Sequence, residues 1–170
     1  MTGTHELRHL FISYRRQEPD MSFAYRLAED MRAAGHPIWM DIVGLEGAAD
    51  WPKKIQRAID ECYAYIVVLS PDALTSPWVS KELLYALNEK PGHVYPVMYR
   101  TVRLPIELVN VQYIDFRGGY DKSRAQLLQA LPPPPPIGPR LPEDLEEALA
   151  SADAYTRRGA VAALADLAGG

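Results

Sequence analysis

The run Tyr63-Ala64-Tyr65-Ile66-Val67-Val68-Leu69, closed by Ser70-Pro71, decides the fold class. Its unbroken apolarity reads as a strand covered on both faces, which is the habit of parallel sheets. Covering helices are legible on either side. Upstream, residues 51–61 form a helical pattern with Trp51, Ile55, Ala58 and Ile59 on one face and Pro52 in the first turn. Downstream, Ser76-Pro77 reads as an N-cap followed by proline at the first helical position, opening a helix to about Asn88. Farther out, residues 9–13 and 38–40 read as strands. Between them Phe23, Leu27, Met31 and Ala34 repeat at helical spacing over residues 20–34, and Gly35 stands where a C-cap belongs. Residues 94–99 and 111–116 supply two more strands, and 121–131 a last helix. Strands alternating with helices predict an α/β fold: a flavodoxin-like five-stranded parallel sheet with helices on both faces. Sites in such folds lie at the carboxyl ends of the strands, so the loops after residues 13, 40, 69, 99 and 115 are the ones to inspect.

Composition bounds the rest. The 170 residues are 48% hydrophobic and 24% charged, which supports a real core. Of the 15 prolines, seven fall between Pro132 and Pro142, a density no packed element tolerates. The chain therefore divides into a domain at 7–131, a proline-rich linker at 132–142 and a helical tail at 143–170. Residues 1–131 carry 15 basic and 16 acidic groups, and residues 132–170 carry 3 and 6. Neither part has the basic excess that phosphate backbones demand, so no nucleic-acid partner is expected. The single cysteine, Cys62, excludes an internal disulfide framework and reads as a small core residue. No apolar run approaches the ~20 residues of a bilayer span, and residues 1–6 lack an apolar signal core. The expectation is a cytoplasmic protein without a membrane partner.

Several chemistries are absent from the loops. No phosphate-binding glycine loop and no Gly-x-Ser-x-Gly elbow occurs. The strand ends hold Ser13-Tyr14-Arg15-Arg16 and Ser70-Pro71 where a receiver domain would place its acidic residues. His5, His9, His36 and His93 make no metal-ligand spacing. What remains is an ordered set: Phe11-Ile12-Ser13-Tyr14-Arg15-Arg16; Asp41 followed by Leu45-Glu46-Gly47 and Trp51; Val68-Leu69-Ser70-Pro71; and Ser76-Pro77-Trp78-Val79-Ser80-Lys81-Glu82-Leu83. In this order and spacing the set resembles a TIR (Toll/interleukin-1 receptor) domain over about residues 7–131. The Phe-Ile-Ser-Tyr-Arg-Arg opening and the Asp-x-x-x-Leu-Glu loop look most like the bacterial and enzymatic, NAD-cleaving branch. The chain departs from the wider family at Val79, where cysteine is common, at Met40 before the loop aspartate, at Gly47-Ala48-Ala49 in place of a proline motif, and at Phe116-Arg117, a faint echo of the receptors' third motif. These departures weaken a receptor-adaptor assignment more than an enzymatic one.

The resemblance implies a TIR NAD+ nucleosidase that releases nicotinamide and ADP-ribose or its cyclic form, in bacterial defence or signalling. NAD+ is then a substrate, and no cofactor or metal is implied. Trp78 and Glu82 are four apart on a helix, hence on one face. The resemblance makes Glu82 the catalytic carboxylate for the positive charge that develops on the ribose. The alternative is a solvated helix glutamate. Arg15 and Arg16 are candidates for the pyrophosphate or adenosine side, or else a solvated pair. Trp78 is placed to stack on a flat ring or to close a core. Trp51 is placed to close over the ligand or to be core. Asp41 and Glu46 are candidates for a ribose hydroxyl or for ordering the loop. Tyr14 and Leu45 complete the candidate pocket. Ser13 and Ser70 are read as satisfying turn backbone groups. The loop 41–50, with Gly44, Gly47, Ala48 and Ala49, matches the family's assembly loop, so other TIR protomers, in a homo-oligomer or filament, are the expected partners.

Residues 143–150 and 155–168 read as short helices. Thr156 to Leu164 is similar to half of a HEAT-like repeat, which cannot bury its face alone. A longer protein with a repeat region beyond Gly170 is the expectation; a tail packing back on the domain is the alternative. Two other functions stay open: a non-catalytic TIR scaffold signalling through TIR–TIR contacts, and a small-molecule-binding flavodoxin-like module.

Overall fold

The computed structural model describes residues 7–41 and 50–135. The expected tail at 143–170 and most of the linker lie outside the described residues, as do Leu45 and Glu46. Strands β1 (His9–Ser13), β2 (Ile38–Met40), β3 (Cys62–Leu69), β4 (Val94–Met98) and β5 (Ile114–Asp115) form one parallel sheet in the order β2-β1-β3-β4-β5. The helices are α1 (Asp20–Ala33), α2 (Trp51–Asp60), α3 (Pro71–Thr75), α4 (Pro77–Glu89) and α5 (Tyr120–Ala130).

Alternation along the strands sorts the core into two layers. Leu10, Ile12, Ala64, Ile66 and Val68 pack with Phe23, Leu27 and Met31 of α1 and Leu127 of α5. Phe11, Tyr65, Val67 and Leu69 face the other way, onto Ile55 and Ile59 of α2 and Val79 and Leu83 of α4. Every residue of β3 is buried, so its unbroken apolarity has the expected cause. Each fully buried aliphatic side chain contributes roughly 1.5–3 kcal/mol of transfer free energy.

Local signals set the ends. Gly35, at φ +91°, follows α1. Its N–H bonds the Arg32 carbonyl and the His36 N–H bonds the Met31 carbonyl, which together form a Schellman stop. Ser76 caps α4, with Pro77 at the first position. Ser70-Pro71 uses the same grammar: Ser70 Oγ accepts from the Ala73 N–H and opens the short helix α3, where only a turn is expected. The strand expected at 111–116 shrinks to Ile114–Asp115. Val111 and Tyr113 instead pack against the α2/α4 layer, beyond a single turn of 3-10 helix at Ile106–Leu108. Their apolarity reports packing and not strand pairing. No helix among the described residues is long and apolar enough to cross a membrane.

Candidate functional site

Consecutive strands move outward from β1 to β2 and then back past β1 to β3, so the strand order reverses between β1 and β3. Connections leaving in opposite directions open a crevice at the carboxyl ends there. A cavity of about 210 Å³ lies at that place, lined by Ser13 to Gln17, Asp41, Trp51, Ser76, Trp78 and Glu82 among others. Seven of the candidate residues named from sequence, Tyr14, Arg15, Arg16, Asp41, Trp51, Trp78 and Glu82, therefore share one pocket.

Glu82 stands on α4, which packs across β1 and β3. Four residues back, Trp78 is half-buried on the same side, with the Lys81 ammonium 5.2 Å from its ring centroid. The Glu82 carboxylate accepts a 2.7 Å hydrogen bond from Ser13 Oγ. That length is typical of a hydroxyl donating to a charged acceptor. Ser13 is only 2% exposed, and its role corrects the turn reading: its hydroxyl is spent on Glu82. Strand parity makes this legible in hindsight. Ser13 is two residues from Phe11 and so faces α4.

The two arginines diverge. Arg16 pairs with the Asp41 carboxylate at 3.2 Å, with the side chains 22% and 14% exposed. Arg15 points at Ser76 Oγ across 3.5 Å, the outer limit of a hydrogen bond. Asp41 thus orders the rim through Arg16, and its backbone carbonyl accepts from Tyr14 Oη at 2.7 Å. Burial, and then the neighbouring Tyr25, push the Tyr14 phenol far above its ordinary range, so it stays a donor. Trp51 opens α2 as a wall of the pocket, only 4% exposed, and among the described residues its indole N–H has no hydrogen-bond partner. In the same core layer, the fully buried Tyr65 hydroxyl is also unpartnered among the described residues. Burial first, then the nearby Glu82, raise its ionisation well above the ordinary value.

A second polar cluster braces the same sheet edge. Asp20, at the first turn of α1 and 1% exposed, accepts a short hydrogen bond from Ser70 Oγ and a 3.0 Å ion pair from Arg100, which also reaches Asp72. It ties the start of α1 to the ends of β3 and β4. Sequence reading passed over Asp20 and Arg100, because residues 80 positions apart leave no local periodicity. Ser70 keeps its expected turn role as the α3 cap and adds this one. Among the described residues, no group of three or more His, Cys, Asp or Glu side chains is placed to hold a metal ion.

A family model described as TIR domain matches residues 10–129. No curated protein matches the chain. Among solved structures, the TIR domain of the Toll-related receptor TRR-2 from Hydra magnipapillata superposes with a TM-score of 0.60 at 22% identity, covering 71% of this chain and 94% of that one. A metazoan TIR-STING receptor from C. gigas gives 0.61 at 20% identity over 85% of this chain; the match spans 46% of the receptor chain. The TIR domains of the activated Roq1 resistosome, which directly recognises the pathogen effector XopQ, give 0.56 at 21% identity, over 71% of this chain and 96% of that one. At these identities the likeness is one of fold.

Proposed function

For a chain that belongs to the TIR domain family, with a carboxylate held at the mouth of its sheet, we propose NAD+ glycohydrolase activity centred on Glu82. The observation that carries this reading is the Ser13–Glu82 hydrogen bond inside a pocket at the strand-order reversal. A glutamate spent on solvent would not be anchored by a buried serine.

Cleavage breaks the bond between ribose C1′ and the nicotinamide nitrogen. The bonding pair leaves with nicotinamide, which departs neutral and needs no strong acid. The ribose becomes oxocarbenium-like, and a fixed carboxylate stabilises that charge with little reorganisation. Water then adds at C1′ with loss of a proton to give ADP-ribose, or an adenine nitrogen closes the ring. The cavity of about 210 Å³ is smaller than the ~300–1,000 Å³ that encloses a whole drug-sized ligand. It suits one end of a dinucleotide. Trp78 offers a stacking face, and Arg15 and Arg16 stand at the rim for the pyrophosphate. Asp41 meets a ribose hydroxyl only by sharing or releasing Arg16. NAD+ is substrate in this reading, and no cofactor enters it. Leu45 and Glu46 are assigned to the same pocket from sequence.

Self-association is part of the proposal, and the TIR domains of the activated Roq1 resistosome lend it support; the loop 41–50 is assigned to the contact from sequence. The test is nicotinamide release from NAD+ across a concentration series. Turnover per molecule rises with concentration, and Glu82→Gln lowers it by about a hundredfold or more. Undiminished release by Glu82→Gln, or none from assembled wild type, would replace the enzyme with a scaffold acting through TIR–TIR contacts.

A further inference from the structure

Resting on the reading of Glu82 as the catalytic carboxylate, we propose that Tyr65, Ser13 and Glu82 form a hydrogen-bond relay, in which the Tyr65 hydroxyl donates to Ser13 and Ser13 donates to Glu82, fixing the carboxylate in the pocket. Ser13 and Tyr65 are positioning residues; neither needs to touch substrate.

Register brings the three together. Phe11 pairs with Tyr65 and Ser13 with Val67 on adjacent strands. By alternation, Phe11, Ser13, Tyr65 and Val67 all face α2 and α4. The long phenol reaches from the Phe11 row toward Ser13, close enough for Ser13 and Glu82 both to act on its ionisation. Ser13 has one proton, and it is committed to Glu82 at 2.7 Å. Its lone pairs are then the acceptors nearest in kind for a phenol that burial keeps protonated.

The unpartnered Tyr65 hydroxyl is the second observation. It is fully buried and, among the described residues, has no hydrogen-bond partner at standard geometry. Phenylalanine would preserve the stacked contact with Phe11, whose ring lies 5.2 Å away. A buried hydroxyl that packing does not require, set behind the carboxylate's anchor, is explained by a bond made when the site engages. Catalytic hydrogen bonds are commonly long in the unliganded state and tighten with substrate. Closing this one polarises the Ser13 hydroxyl and strengthens its donation to Glu82.

The test combines kinetics with crystallography on the full chain. Ser13→Ala lowers kcat for NAD+ cleavage by about ten- to a hundredfold with KM within about twofold, and Ser13→Thr restores most of it. Tyr65→Phe lowers kcat by about two- to tenfold while melting no lower than wild type, because it removes an unsatisfied buried group. In the Ser13→Ala background Tyr65→Phe has no further effect, since it acts through Ser13. Wild-type kcat in Tyr65→Phe, or effects that multiply in the double variant, would overturn the relay. A crystal structure of Ser13→Ala reads the anchor without any activity: a displaced Glu82 carboxylate supports the relay, and an unmoved one overturns it. If wild type proves inactive on NAD+, the function fails and this structural readout still decides whether Ser13 anchors Glu82.

Discussion

Replacing Arg100 with methionine isolates the cost of an uncompensated buried charge. Asp20 is 1% exposed on its side chain, against 35% for Arg100, and the two meet at 3.0 Å. With Arg100 gone, Asp20 keeps only the Ser70 hydroxyl as a strong donor among the described residues. Breaking a fully buried pair from one side costs about 3–5 kcal/mol. Here the arginine is partly wet, and its Nε–H already lacks a partner, so the lower end applies, about 3 kcal/mol. That corresponds to a fall in Tm of roughly 6–12 °C for a chain of this size. Urea unfolding followed by tryptophan fluorescence measures it. The decisive comparison is Arg100→Met combined with Asp20→Asn. Removing the charge as well as its partner recovers at least about 1 kcal/mol relative to the sum of the single changes. A loss below about 1 kcal/mol for Arg100→Met, or strict additivity in the double variant, would show that the cluster is a solvated surface pair and that the reasoning is wrong.

Two further outcomes rest on independent parts of the fold. His36 is buried, hydrogen-bonded to Tyr63 Oη at 2.6 Å, and desolvation lowers its pKa from 6.5. The native state therefore binds fewer protons than the unfolded chain as pH drops through about 6.5, and stability falls toward acid; an imidazole NMR titration with a midpoint at or above 6.5 would contradict this. Ile66→Ala in the fully buried β3 costs about 2–5 kcal/mol in equilibrium unfolding, and a cost under about 1 kcal/mol would mean that the α1/α5 face of the sheet is not covered.

Much of the architecture is legible because its signals are local. Residues 63–69 announce a strand buried on both sides, Gly35 stops α1, and Ser76-Pro77 opens α4; each depends on neighbours within one or two turns. The misreadings share a cause as well. Ser70-Pro71 carries the same cap as Ser76-Pro77, yet α3 is too short for apolar periodicity to confirm it. Val111 and Tyr113 are apolar because a helix layer covers them, and apolarity alone does not distinguish that from strand pairing.

The candidate site divides along the same line. Trp78 and Glu82 share a helical face by spacing alone, and the strand-end position of Tyr14, Arg15, Arg16 and Asp41 follows from the alternating pattern. What each side chain does there follows only from packing. Arg16 turns to Asp41 while Arg15 turns to Ser76, Trp51 is a wall, and Ser13 bonds a carboxylate 69 residues away. The sequence by itself determined most of the elements, their order and the sheet edge that bears the pocket, because backbone conformation and apolar periodicity are set by residues a few positions apart. The tertiary structure alone decided which polar groups meet, because a hydrogen bond between β1 and α4 depends on strand order and side-chain direction, and neither is written in any local stretch of chain.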